Sequence, residues 1–290
     1  MSAIKRHITR SYLAKQGAKH LEQYPQLACF AFDVITDSIH LDGRFEIEEL
    51  EFLARSIFPQ LKGRRTCLDI GANIGNHALF FAEHFEQVIA LEPNPRTYKL
   101  LDCNADLVEN VTALPVGASD KEAVQVAYCY ARNIGATSLE TSAELAREYD
   151  LKEVQFKLAR LDDIPEVQNA EAIDFVKVDV EGHETACFDG ARETLKKHKP
   201  VIALEILGAQ IEGGQTPSLE VLKSCGYSHF YNLRSNRPFS RAPKPVAKLS
   251  TVLLGLFFNY RPPKSYTLEP LHLDSSRNYS MVLCSTYPLS

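Results

Sequence analysis

The chain has 290 residues, a formal net charge of −5 and a pI near 6.0, which argues against a nucleic-acid binder built on a basic face. With 45% hydrophobic residues it can bury a large core, roughly three quarters of its unfolded surface at this size. Seven cysteines, scattered and without a C-x-x-C pair, exclude a disulfide framework or a zinc site and point to reduced thiols in a cytoplasmic compartment.

Residues 1–60 read as a helical extension, with residues 61–290 as the main domain. The first sixteen residues, "MSAIKRHITRSYLAKQ", have no apolar stretch of the kind a secretory signal needs. No apolar run reaches the roughly 18 residues that span a bilayer. "EIEELEFLARSIF" places Ile47, Leu50, Leu53 and Ile57 near helical spacing, with Pro59 and Gly63 as stops.

From residue 66 strands and helices alternate. "TCLDI" is a buried strand, "NHALFFAEHF" a helix, "QVIALE" a strand, and "PRTYKLLDCNADLVEN" a helix with Pro95 in its first turn. "VTALPVGAS" reads as a third strand. This β-α-β-α-β order predicts an α/β fold, a parallel sheet with helices on both faces. Residues 120–160 interrupt it: "AVQVAYCYA" and "VQFKLARL" alternate as arms of a hairpin insertion, with "NIGATSLETS" between them. There Asn133, Thr137 and Ser138 belong either to a lid or to a plain loop. A strand over 173–180, a helix near 184–197, the strand "PVIALEI", a helix near 217–224, the strand "YSHFYNL" and a last strand "YSMVLCS" follow.

Between the last two strands, residues 221–268 contain no Asp or Glu. An insertion over 233–270 carries Arg234, Arg237, Arg241, Lys244, Lys248, Arg261 and Lys264 around "KLSTVLLGLFF". A basic, amphipathic element suits a membrane surface or a lipid-linked substrate. It equally suits a lid or a homodimer interface.

"LDIGANIGN" is the most informative stretch. A strand ends at Asp69 and Ile70, and Gly71, Ala72, Asn73, Gly75 and Asn76 form a tight turn into a helix. Glycine allows the turn and lets a ligand approach the backbone. Glu92, 17 residues beyond Gly75, ends the next strand, followed by Asn94. An acidic residue there can accept both hydroxyls of a ribose, and ligands of open α/β sheets sit at these strand ends. Asn73 stands where a dinucleotide fingerprint has its middle glycine, so the pyrophosphate approach is not provided. S-adenosylmethionine needs no phosphate site. Asp69 would take its ammonium, directly or through water, and Glu92 its ribose. Gly117 and Ala118, beside Ser119 and Asp120, would flank its adenine. A nicotinamide-dependent oxidoreductase and a non-catalytic cofactor-binding protein are the alternative readings.

"LDIGANIGNHALFFA", "VIALEPNPRTYKLLDCNADL", "RLDDI", "IDFVKVDVEGHETACFDGA" and "KPVIALEI" together resemble the FkbM family of S-adenosylmethionine-dependent methyltransferases, over roughly residues 40–210. The resemblance implies a Rossmann-like class I methyltransferase fold: a seven-stranded, mostly parallel sheet with an antiparallel last strand. It also implies O-methylation, commonly of a sugar or secondary-metabolite hydroxyl, so the expected partner is a small-molecule or glycan acceptor. In that topology "VKVDV" is the fourth strand, beside the first, and its end faces the transferred methyl. Asp179 is then the first candidate for orienting or deprotonating the acceptor, with Glu181 and His183 next. Glu184 suits a helix start. Asp162 and Asp163 either border the site or cap "IPEVQ". Glu205 would look into the acceptor side. Lys177 is read as a partner of Asp179. No metal is expected, since a divalent ion on Asp179 and Glu181 lacks a third ligand in the spacing.

Overall fold

The computed structural model describes residues 3–130, 133–138, 151–236 and 265–290. Much of the 233–270 insertion, residues 237–264, lies outside them, so the membrane, lid and dimer readings of that stretch do too. Among the described residues no helix is long and apolar enough to cross a membrane.

Helices α1 (Ala3–Leu21), α2 (Val34–Asp42) and α3 (Ile47–Phe52) precede the sheet, and α3 runs on through a wide turn over Leu53–Ile57 and a 3-10 turn at Phe58–Gln60. The winding core follows: β1 (Thr66–Ile70), α4 (Asn76–Ala82), β2 (Gln87–Leu91), α5 (Pro95–Ala105) and β3 (Val111–Leu114). β1 is buried along its whole length, as expected of a central strand with helices on both faces. Later come β8 (Ile173–Val178), β9 (Val201–Ile206), β10 (His229–Asn236), β11 (Ser265–Pro270) and β12 (Tyr279–Ser285). The main sheet has the order β11-β10-β12-β9-β8-β1-β2-β3. β3, β2, β1, β8 and β9 are parallel; β12 runs antiparallel between β9 and β10. The expected seven strands and antiparallel last strand are present, and β11, drawn from the expected insertion, adds an eighth at the edge.

Three expectations need correction. "VTALPVGAS" is two strands, because Pro115 has no N–H to continue the ladder. β4 (Gly117–Ser119) leaves for a second sheet of order β4-β7-β5-β6, with β5 (Ala123–Tyr130), β6 (Asn133–Ser138) and β7 (Lys152–Arg160). β5 and β7 pair antiparallel as the expected hairpin arms. "NIGATS", however, is β6, a strand paired with β5, and not a plain loop. The helix near 184–197 is two helices, α7 (Glu184–Asp189) and α8 (Arg192–His198), preceded by the single-turn α6 (Pro165–Gln168) and followed by α9 (Pro217–Ser224). The break falls at Gly190, where a Cβ would run into the Ser119 carbonyl oxygen of β4.

The amino-terminal segment is stitched to the glycine-loop helix by side-chain amides. Asn76 accepts from the Phe45 N–H (3.0 Å) and donates to the Phe45 carbonyl (3.0 Å). Asn104 does the same for Ala28 (2.7 and 2.9 Å) and also holds the Ile74 carbonyl (2.7 Å). Arg44 is buried between them; it donates to the Asn76 carbonyl (3.1 Å), pairs with Glu83, and lies near the rings of Tyr24 and Phe80.

Asp162 does not cap "IPEVQ". Its two carboxylate oxygens accept from the Glu193 N–H (3.0 Å) and the Thr194 N–H (2.8 Å), and so cap α8. Asp162→Ala leaves both N–H groups without partners in a buried place, at a cost of about 1–3 kcal/mol. Thermal unfolding should fall by several degrees; an unchanged midpoint would contradict the capping role.

Candidate active site

The carboxyl ends of β1, β2 and β8 meet backbone to backbone. Gly71 has φ +81°, and a Cβ there would run into the Asp179 carbonyl oxygen, so only glycine fits. The Asp179 N–H donates to the Ile70 carbonyl (2.9 Å), and the N–H groups of Gly71 and Ala72 both donate to the Leu91 carbonyl (2.9 Å each). Asn73 takes a left-handed φ of +50° without being glycine. Its N–H donates to one oxygen of Glu92 (3.0 Å), and the Asn94 N–H donates to the other (2.8 Å). The carboxylate of Glu92 is therefore fixed by two backbone donors. Burial pushes its pKa up to about 7, against the pull of those two N–H groups.

These tips open on a cleft whose empty space, open solvent at its mouth included, is about 710 Å³. Of the sequence candidates, Gly71, Asn73, Glu92, Gly117, Ala118, Asp179, Glu181 and His183 line it. Asp69, Ala72, Gly75, Asn76 and Asn94 do not. Gly75 heads α4; Asn76 is spent on Phe45; Asn94 caps α5 by accepting from the Arg96 N–H (3.0 Å). The reading also missed Thr97, Phe156, Leu158 and Val180. Phe156 and Leu158, two residues apart on β7, are both buried, a period-2 signal that was visible but had no partner in sequence. Thr97 Oγ1 is buried and, among the described residues, has no hydrogen-bond partner.

Behind the cleft floor sits a buried charge cluster. Lys177 Nζ lies 3.1 Å from Asp179 Oδ2 and 3.9 Å from Asp69 Oδ1. Asp69 is wholly buried; among the described residues no donor reaches its oxygens in full hydrogen-bond geometry, although the nearby Ala78 N–H of α4 favours its charged form. It lies beneath the cleft surface, beside Lys177. Burial pulls the Lys177 pKa down, but the carboxylates of Asp179, Asp69 and Glu46 outweigh it and hold it above the ordinary value. Burial pushes Asp69 up, and Lys177 offsets only part of that. Asp179, also pushed up by burial, is pulled net downward by the charge and hydrogen bond of Lys177. Glu181, at φ +49°, is raised by burial and then by Asp179 and Glu184. His183 Nε2 lies 2.9 Å from Ser119 Oγ, tying α7 to β4. Glu184 is structural: it accepts from the Gly182 N–H (3.1 Å) and from Gln210 Nε2 (2.6 Å). Among the described residues no group of three or more His, Cys, Asp or Glu side chains is arranged to hold a metal ion.

Beyond Asp179, away from the cleft, lies a second, solvent-open hollow between the ends of β8, β9 and β12, with about 370 Å³ of empty space when the solvent at its mouth is included; Glu46, Lys177, Glu205 and Ser280 are on its walls.

The model of the methyltransferase FkbM domain matches residues 69–229. Methyltransferase sdnD of Sordaria araneosa is 26% identical over 212 residues, covering 60% of this chain and 80% of that protein. Among solved structures, methyltransferase FkbM from Methylobacillus flagellatus is 16% identical with a TM-score of 0.36; the match covers 86% of this chain but only about half (52%) of that one. Precorrin-6y C5,15-methyltransferase from Geobacter metallireducens gives 15% and 0.41, over 84% and 88% of the two chains. Aeropyrum pernix fibrillarin, solved with natively bound S-adenosyl-L-methionine, gives 12% and 0.37, over 62% and 64%.

The raised pKa of Glu92 has a definite sign. The folded, ligand-free state holds its proton more tightly than the unfolded chain, so the contribution is full below about pH 4.5 and lost as pH rises through about 7. The difference in unfolding free energy between wild type and Glu92→Gln should therefore move by about 3 kcal/mol in favour of the variant across that window. A difference that is flat with pH would contradict the burial argument.

Proposed function

The chain belongs to the FkbM methyltransferase family, and from that membership we propose that it carries a methyl group to a hydroxyl oxygen of a sugar or another small hydroxylated metabolite. Its cofactor is S-adenosylmethionine, which when bound supplies an electrophilic methyl on a sulfonium sulfur. Membership sets aside the nicotinamide-dependent alternative.

The observation that carries the cofactor assignment is Glu92, a carboxylate held by two backbone N–H groups at a strand tip and turned to a cleft with a glycine floor. Each oxygen keeps a lone pair for a ribose hydroxyl. The rest of the cleft fits as well. Phe156 and Leu158 offer an apolar wall for an adenine beside Gly117 and Ala118. The unpartnered Thr97 Oγ1 is a buried hydroxyl awaiting a polar partner.

Asp179 serves to orient the acceptor. Its ion pair with Lys177 keeps it ionised, which makes it a good acceptor of a hydroxyl hydrogen bond and a weak base. Positioning of this kind supplies much of the rate in a transfer between two bound partners. Glu181 and His183 lie at the cleft wall and contribute to its closure. The reaction belongs to a cytosolic, reducing setting: Cys29, Cys67, Cys103, Cys187, Cys225 and Cys284 are free thiols, four of them buried.

Titration calorimetry with S-adenosylhomocysteine tests the reading. Wild type should bind it, and Glu92→Ala should weaken binding roughly 10- to 100-fold, the worth of hydrogen bonds to a charged group. Asp179→Asn should bind nearly as well as wild type while methyl transfer falls. Binding of NAD(P) with no binding of S-adenosylhomocysteine would overturn the proposal, and equal loss of affinity in both variants would overturn the division of roles.

A further inference from the structure

The hollow beyond Asp179 has a chemistry of its own. Three carboxylates face it: Glu46 from the turn before α3, Asp179 at the β8 tip, and Glu205 in β9. Among the described residues lining it the one cation is Lys177, already held by Asp179 and Asp69. The field in the hollow is therefore negative, and an acceptor bearing a phosphate or carboxylate is repelled.

Glu46 is in place at some conformational cost. It adopts φ +55°, a left-handed conformation rare outside glycine, asparagine and aspartate. It is kept there because Asn76 clamps both backbone groups of the preceding Phe45, and His77 Nε2 approaches its carboxylate at 3.2 Å. Strain maintained by surrounding contacts is characteristic of functional positions.

Glu205 differs from its neighbours. Among the described residues its carboxylate makes no hydrogen bond or ion pair. Burial, then the charges of Asp179, Glu181 and Glu46, push its pKa up to about 7, with Lys177 pulling the other way. The remaining wall from β12 is uncharged: Ser280 and Met281. A half-buried carboxylate near neutrality is suited to taking a proton, whereas Asp179 is held too low by Lys177.

Building on the methyltransferase reading, we propose that this hollow is the acceptor subsite. It takes a compact, uncharged or cationic polyhydroxylated ring, with Glu205 as the general base and Asp179 and Glu46 as hydrogen-bond acceptors for the ring hydroxyls. In the step, the acceptor oxygen forms a bond to the methyl carbon. The electron pair of the broken carbon–sulfur bond stays on sulfur, and the hydroxyl proton passes to Glu205, which releases it to solvent.

The test uses methyl-tritiated S-adenosylmethionine with a defined panel: neutral methyl hexopyranosides and 6-deoxyhexopyranosides, amino sugars, uronates and sugar phosphates. Label should enter neutral or amino sugars and not uronates or phosphates. Glu205→Gln should lower kcat by roughly 100-fold or more, remove the acid limb of the pH–rate profile, and leave affinity for S-adenosylhomocysteine unchanged. Ser280→Trp, on an exposed position of β12, should fill the hollow, abolish labelling and leave that affinity unchanged. Label confined to the anionic sugars, no labelled sugar despite cofactor binding, or a Glu205→Gln variant as fast as wild type would overturn the proposal. Failure of wild type to bind S-adenosylhomocysteine would instead overturn the methyltransferase reading beneath it.

Discussion

One buried ammonium organises the site. Lys177 lies inside the sheet with carboxylates of β1 and the β8 tip on either side of it, Asp69 and Asp179. Burying a charge costs several kcal/mol per ion unless it is compensated, so each member of this group constrains the others. The charged form of Asp69 is favoured chiefly by Lys177, with smaller help from His77 and the Ala78 N–H. Lys177 in turn sets the charge state of Asp179. This explains why an apolar strand ends in so many acidic groups: Asp179 pairs with the buried cation and borders both hollows, Glu181 lines the cleft, and Glu184 holds the turn before α7.

The backbone enforces the same arrangement. Where Gly71 meets the Asp179 carbonyl there is no room for a side chain, so the β1 loop and the β8 tip are in direct backbone contact. Asp179 thereby becomes the partition between the cleft on the Glu92 side and the hollow on the Glu205 side. The amino-terminal segment completes that hollow. Arg44 and the amides of Asn76 and Asn104 fasten it to α4, α5 and the glycine loop and bring Glu46 to the wall. Residues before the sheet are thus part of the site as well as its cover.

The legible parts of the chain were those governed by local rules. β1, α9 and β12 fall where apolar runs, a Pro at a helix start and turn residues put them. Glu92 was found because strand ends in a parallel sheet are predictable sites. What escaped depended on partners distant in sequence. Asn76 and Asn94 resemble ligand-binding residues, yet their amides close a backbone loop and a helix start. The break at Gly190 comes from β4 crossing the helix, some seventy residues earlier in the chain. Phe156 and Leu158 carried the alternation of a strand but no sign of which cleft they would wall. Glu46 gave no signal at all, since its place is set by a clamp on its neighbour.

A crystal structure of the protein with S-adenosylhomocysteine tests the central claim most directly. The account predicts ribose hydroxyls on the Glu92 carboxylate, the sulfur turned toward Asp179, and the hollow at Glu205 left open for a second molecule. A complex with the ribose away from Glu92, or with the ligand itself filling the Glu205 hollow, would contradict it.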